Sequence, residues 1–418
     1  MSLLTSLGTG AFLIALPGSL TLATLTIAAA LPFRARAPTP AGQRSAVNDR
    51  TPPDPSDRTS ALAPSKTARL VVLIPAHNES QGLRRTLESL KPEVAADPAA
   101  RIVVIADNCQ DDTADVARAA AVEVIERHDE SRRGKGFALR LGFASVGEAD
   151  WFLVIDADTD VDPGFLQAMR AAIERGSSAL EAHEADALQC RYRVRDPLAS
   201  ARNTLADIAF GAFNVLRPRA RATLGLSAGI LGNGFALSRR TLQRVPFLAN
   251  SIVEDVEYHH ALVQAGLRVE WVDGAQVRGE VPLDAAAVGA QQARWEGGRL
   301  RLLANNGPEL FQQAIIGRSG QLDLLADLLL LPLSLHTSLL LLAWALGGPW
   351  IHWLAEINLW MLVLHVVLAM QLIDASAAHW RALLGAPRYL LVKLARLPAS
   401  WQAAARNAPW TRSKRSSS

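Results

Sequence analysis

Long uncharged apolar runs stand near both ends of the chain, and short apolar runs separated by polar, helix-periodic segments fill its middle. Residues 11–33, AFLIALPGSLTLATLTIAAALPF, carry no charge and are long enough to cross a hydrocarbon core of about 30 Å. Nothing basic precedes them, while Arg34 and Arg36 follow at once. That order reads as a retained anchor with its N-terminus outside and the following chain in the cytoplasm. Residues 34–68 hold six prolines among Ser, Thr, Arg and Asp and read as a linker. From Arg69 strands and helices alternate. LVVLIPA (70–76), IVVIAD (102–107), VEVIE and WFLVIDAD (151–158) are strand-like, and GLRRTLESL, TADVARAAA and GKGFALRLGFA between them are helical. Continuous apolar strands separated by helices predict an α/β fold whose mostly parallel sheet is covered by helices on both faces. In such sheets a ligand lies beyond the carboxyl ends of the strands. The clusters HNES, DNCQDD and DADTD fall at those ends.

Apolar character returns at 324–346 and, after a GGP turn, at 350–373, which together predict a membrane hairpin. The hairpin returns the chain to the side of a basic tail (Arg381, Arg388, Lys393, Arg396, Arg406, Arg412, Lys414, Arg415), in which 382–400 reads as an amphipathic helix on the inner leaflet. The predicted organisation is therefore an anchor (1–33), a linker (34–68), a cytoplasmic catalytic domain (69–300), an interfacial segment (301–323), a transmembrane hairpin (324–373) and a basic tail (374–418). About three spans result.

Composition narrows the classes. Half of the 418 residues are hydrophobic, high for a soluble protein and low for a many-span transporter. A net charge of +3 gives no argument for nucleic acid. The two cysteines, Cys109 and Cys190, lack metal-ligand spacing and read as ordinary thiols.

Several polar groups carry candidate chemistry. Asp156-Ala157-Asp158 closes a strand, and two carboxylates so spaced can hold Mg²⁺ or Mn²⁺ through oxygen ligands that bridge substrate phosphates. Glu254-Asp255 opens a helix, where a carboxylate would stay ionised and act as a general base. His259 and His260 are adjacent and cannot both face one metal, so core or solvent contacts are expected of them. Lys135, flanked by Gly134 and Gly136, can meet a phosphate as a point charge. Gly232-Asn233-Gly234 reads as a tight loop near bound substrate or as a bare turn. Gln291, Arg294 and Trp295 share one helical face just before the apolar region. Glu356 and His365, the notable polar groups of the last apolar run, are read without a functional role.

The succession VVLIPAHNE, IADNCxDxT, GKG, DAD, GNG, VED and QQARW, over about residues 69–300, resembles the family 2 glycosyltransferases. It is most similar to their membrane-bound branch of cellulose, chitin and hyaluronan synthases and bacterial exopolysaccharide enzymes; the ending APWTRSKR resembles the exopolysaccharide type. The resemblance implies a Rossmann-like, glycosyltransferase A-type domain that binds a nucleotide-sugar, a UDP-sugar first, with Mg²⁺ or Mn²⁺. It implies that Ala76, His77 and Glu79 meet the base and ribose and that Asp107 holds the nucleoside. Lys135 lies near the diphosphate. Asp156 and Asp158 form the metal motif, with Asp158 the direct ligand. Asp255 is implied as the base with Glu254 beside it, while Gly232, Asn233, Gln291, Arg294 and Trp295 serve the diphosphate and the acceptor sugar. Two departures stand out: His77 replaces the commoner Tyr or Phe, and three spans are fewer than a cellulose-type channel needs. The implied enzyme is a hexosyltransferase of the bacterial inner membrane. Its first acceptor is a lipid-linked saccharide in exopolysaccharide or envelope synthesis; a growing polysaccharide or a diacylglycerol glycolipid are the alternatives.

Overall fold

The computed structural model describes residues 3–33, 67–177, 186–249, 253–281, 285–316 and 319–388, with three further positions up to 395; for 285–294 it describes the backbone alone. The linker expected at 34–68 lies outside the described residues except for its last two positions, and so does most of the basic tail.

An eight-stranded sheet, ordered β3-β2-β1-β4-β7-β6-β8-β5, forms the centre. Its first half is parallel: β1 (Leu70–Ala76) lies between β2 (Ala100–Asp107) and β4 (Trp151–Val154), and β3 (Glu123–Arg127) adds to β2. The second half departs from the expected mostly parallel pattern. There β7 (Phe235–Ser238) runs antiparallel to both β4 and β6 (Ala187–Val194), β6 is parallel to β8 (Val269–Gly279), and β5 (Thr159–Val161) is antiparallel to β8. The sheet is therefore mixed.

Side-chain alternation splits β1 between two cores. Leu70, Val72 and Ile74 pack with α2 (Ser80–Ala95) and α5 (Phe165–Ser177), while Val71 and Leu73 pack with α4 (Lys135–Ser145) and α9 (Glu254–Gln264). Pro75 is tolerated in this inner strand because β4 pairs only with Leu70–Leu73, so the missing N–H faces no partner there. Leu83, Thr86, Leu87 and Leu90 give α2 its buried face at helical spacing. Helix α3 (Thr113–Ala119) crosses from β2 to β3. The run expected as one strand at 151–158 ends at Val154. The chain then bends through Asp156 and Asp158 into β5, because Thr159 and Val161 leave β4 and pair with β8 instead.

After β6, α6 (Ala201–Phe210), a π-helical turn (Gly211–Leu216) and α7 (Arg217–Thr223) form one continuous rod. The short α8 (Arg239–Arg244) follows β7. Helix α10 (Ala285–Ile315) runs through the boundary expected at residue 300. The apolar run 324–346 is not one straight helix. It divides into α11 (Ser319–Leu329) and α12 (Leu333–Leu346), which meet at 75°. Pro332 opens α12 and cannot donate to the preceding turn, and the acidic face of α11 is bound elsewhere. Helices α1 (Leu3–Ala30) and α13 (Pro349–Leu372) are each long and apolar enough to cross a membrane, and α11–α12 adds a third span if the bent pair counts as one. The 14 residues of α12 span only about 21 Å by themselves.

A seam of small residues joins α1 to the other two. Gly8 lies on the backbone of Gly347, and Ser19 and Thr26 meet His336 and His365 at 3.4 and 2.9 Å. His365 is thus an interhelical bond partner, which accounts for it without a functional role. The opposite ends meet the sheet domain. Arg219 donates to the Ala29 carbonyl at 3.1 Å, Arg193 to that of Ile373 at 2.9 Å, and Arg191 to that of Leu372. Asp207, fully buried, accepts from Arg193, from the Val194 N–H and from His379 on α14 (Ala377–Leu383). The C-terminal ends of α1 and α13 therefore lie on the same side as the sheet domain.

Candidate active site

The parallel strands end together, so β1 delivers His77 beside the residue that β2 delivers. His77 Nδ1 lies 2.6 Å from the Asp107 carbonyl oxygen. Asn78 and Asn108, at φ 54° and 51°, turn the two loops through the left-handed region, which asparagine accepts more readily than most residues. The Asp107 carboxylate, 5% exposed, accepts from Arg127 at 2.6 Å and from the Asn108 amide at 2.9 Å. The Arg127 guanidinium in turn lies 5.6 Å from the Phe137 ring centroid. Ala76 is buried at the end of β1, and Glu79 is the N-cap of α2, its backbone N–H donating to Thr113 Oγ1 at 2.8 Å.

A second group gathers where β4, β7 and α9 meet. Lys135 is the first residue of α4, entered through Gly134 at φ 126°. Its ammonium donates to the Asp156 carboxylate and to the Gly232 carbonyl. Asn233, fully buried, accepts from the Asp156 N–H at 3.1 Å and donates to Thr159 Oγ1 at 2.8 Å, so the 232–234 turn clamps the D-x-D bend. This turn is structural as well as adjacent to the site: Gly232 has φ 78°, and a Cβ on it would stand 3.1 Å from Asp255 Oδ2. Asp158 is buried, with Thr159 Oγ1 at 3.4 Å from its carboxylate.

Glu254 and Asp255 occupy the first turn of α9. The expectation that a carboxylate at this helix N-terminus stays ionised is opposed by burial. Burial, then the charge of Asp255, pushes Glu254 up to about 8. Burial also raises Asp255, but the Val256 N–H at 2.9 Å and the charges of Lys135 and Arg299 favour its ionised form. Desolvation of two neighbouring carboxylates outweighs a partial dipole charge. Burial would lower Lys135, yet the charges of Asp156, Glu254 and Asp255 raise it on balance. Elsewhere on α9, His259 is buried against Ser227 Oγ at 2.8 Å, as the core reading of that histidine expected.

No group of three or more His, Cys, Asp or Glu side chains forms a closed metal cage among the described residues. The donor chemistry nevertheless fits a hard divalent cation. Asp156, Glu254 and Asp255 share the single ammonium of Lys135, with Asp158 two residues along the bend. Mg²⁺-type ions are held by one or two carboxylates and completed by substrate phosphates and water rather than by an all-protein cage.

Trp295 on α10 is 42% exposed, while the side chains of Gln291 and Arg294 lie outside the described residues. Arg127 was not anticipated from the sequence, although its place at the end of β3 beside Asp107 is set by the strand register. Arg217, Arg221 and Arg299 were also missed. The signal for the first two was present in RPRAR and in two aspartates inside a leucine-rich run.

The sequence profile described as glycosyl transferase family group 2 matches residues 151–373. Among curated proteins, the glycosyltransferase AglD of Haloferax volcanii is 29% identical over 129 residues, covering 29% of this chain and 20% of that protein. The probable glycosyltransferase YdaM of Bacillus subtilis is 23% identical over 237 residues, 55% of each. The chain thus spans about a fifth and about half of the lengths of these relatives. Among solved structures, the mannosyltransferase PcManGT of Pyrobaculum calidifontis, in complex with GDP-Man and Mn²⁺, aligns with a TM-score of 0.54 at 16% identity, covering 90% of this chain and 99% of that one. That likeness establishes a glycosyltransferase A-like fold.

Proposed function

The chain belongs to glycosyl transferase family group 2, and on that premise we propose that it is a membrane-bound, inverting hexosyltransferase that moves a sugar from a nucleotide-sugar to a lipid-linked saccharide. The observation that carries the reading is the group of Asp156, Glu254 and Asp255 around Lys135 at the carboxyl ends of the strands. His77 and Asp107, with Ala76 and Glu79 beside them, receive the base and ribose. A divalent cation held by Asp156 and Asp158 would neutralise charge on the departing diphosphate. Lys135 supplies a further positive charge at the same place. Burial and the neighbouring charge of Asp255 raise Glu254, whereas the Val256 N–H and the charges of Lys135 and Arg299 favour the ionised form of Asp255. Asp255 then takes the proton of the acceptor hydroxyl as its oxygen attacks the anomeric carbon and the nucleoside diphosphate leaves. Gly232 and Asn233 keep the D-x-D bend and Asp255 in register, and Gln291, Arg294 and Trp295 close the acceptor side.

The sheet domain meets the ends of α1 and α13, which supports an acceptor that arrives from the bilayer. With Arg381 of α14 on the same side, this favours a bacterial inner-membrane enzyme with a cytoplasmic catalytic domain, working in exopolysaccharide or envelope synthesis. The test is a donor screen with purified membranes, UDP- and GDP-sugars, and Mg²⁺ or Mn²⁺ against chelator. Asp255→Asn is expected to lower transfer by about 10²–10⁴-fold while nucleotide binding persists. Turnover near wild type in that variant would overturn the base assignment.

A further inference from the structure

Helix α11 carries two acidic residues one turn apart, Asp323 and Asp327, in a segment otherwise rich in leucine. Arginines from the sheet domain meet both. On α7, buried Arg217 and Arg221 reach Asp327, and Arg221 also pairs with Asp323. From α10, Arg299 meets the Asp327 carboxylate at 3.2 Å and also its backbone carbonyl. The Phe213 ring lies against the guanidinium groups of Arg217 and Arg299, at 4.2 and 5.8 Å. One carboxylate thus gathers three helices.

Arg299 lies one turn beyond Trp295. Its neighbour Gly298 is pressed against Val253, where a Cβ would stand 2.6 Å from Cγ1 and 3.3 Å from Cβ. Val253 is the N-cap of α9, the residue before Glu254 and Asp255. The same turn of α10 is therefore tied to Asp327 on one side and seated on the start of the carboxylate helix on the other. Removal of Asp327 leaves three arginines with one acid. The repulsion and lost pairing would push out Arg299, the least buried of the three, and α10 with it.

We propose that Asp327 is a positioning residue for the Glu254–Asp255 pair: through Arg299 it seats α10 on Val253 and so fixes where the two carboxylates stand. This rests on the transfer reaction proposed for that site. The test uses the full chain in purified membranes with whichever UDP- or GDP-sugar the wild type turns over. Asp327→Asn is expected to lower kcat by roughly 10-fold or more with the donor KM within about threefold, and Asp327→Glu to recover most of kcat. A donor-independent measurement accompanies it. A Val253→Cys, Gly298→Cys pair lies close to the usual disulfide Cβ separation and is expected to cross-link on oxidation with Asp327 present and to fail with Asp327→Asn. Unchanged kcat, parallel changes in kcat and KM without rescue by glutamate, or cross-linking that persists without Asp327 would overturn the inference. A wild type that turns over no donor, with cross-linking still dependent on Asp327, would instead overturn the transfer reading.

Discussion

Glu254 and Asp255 stand side by side in the first turn of α9, yet they meet different surroundings. Burial raises both and Lys135 opposes it at both, but Asp255 also has the Val256 N–H and the charge of Arg299, whereas Glu254 also meets the charge of its neighbour. The pair titrates as a unit, and burial raises both members. A linkage follows for the donor-free protein in chelator. Glu254 rises from an ordinary 4.5 to about 8, so across that range the folded chain holds a proton that the unfolded chain has released. Stability should therefore fall as pH rises from about 4.5 to about 8, by on the order of a few kcal/mol, and level off above. Thermal denaturation at pH 5 and pH 8 tests this: Glu254→Gln is expected to flatten the fall, and an equally steep fall in that variant would refute it. D-x-D and E-D are local patterns in the sequence, and the fold brings Asp156, Glu254 and Asp255 toward Lys135, whereas the Gln291 and Arg294 side chains of Q-x-x-R-W lie outside the described residues. The protonation of the carboxylates was not legible in the sequence, because desolvation depends on what lies overhead.

At the scale of elements, apolar runs and helical periodicity located β1, β2, α2 and α4 closely, since each is decided by its own alternation. The errors fall where an element answers to something distant. The run expected as a single strand at 151–158 stops at Val154 because β5 finds its partner in β8. The run expected as a single helix at 324–346 bends at Pro332 because Asp323 and Asp327 are paired with arginines from α7 and α10. Hydropathy counts leucines and cannot see whether two carboxylates have partners 100 residues away. The small-residue seam of α1 is a prediction at this scale. Gly8→Val places a side chain into the backbone of Gly347. Separation of α1 from the α12–α13 turn is expected, read as loss of a cross-link between cysteines placed on α1 and α13; a cross-link of undiminished yield would show the seam to be unimportant.

For the whole molecule, the sheet domain joins the apolar helices through Arg219 at the end of α1, through Arg191 and Arg193 at the end of α13, and through Arg217 and Arg221 on the aspartates of α11. Cationic groups at helix C-termini meet carbonyls left without intrahelical partners and complement the helix dipole. The expected topology is then testable by labelling single cysteines in inverted vesicles and whole cells. One at Ser2 should react from the face opposite to cysteines at Gly147 and Ser418, and reaction of all three from one face would refute the arrangement.

By itself the sequence determined the α/β class and the apolar segments, and it marked the D-x-D and E-D carboxylates as candidates, because these follow from short-range periodicity and from side-chain chemistry. Only the tertiary structure decided the mixed sheet, the bend between α11 and α12, and the burial that raises Glu254. It alone joined Arg299, Asp327 and Val253. Each of these depends on which distant groups share a low-dielectric space, and burial and pairing there outweigh local preference.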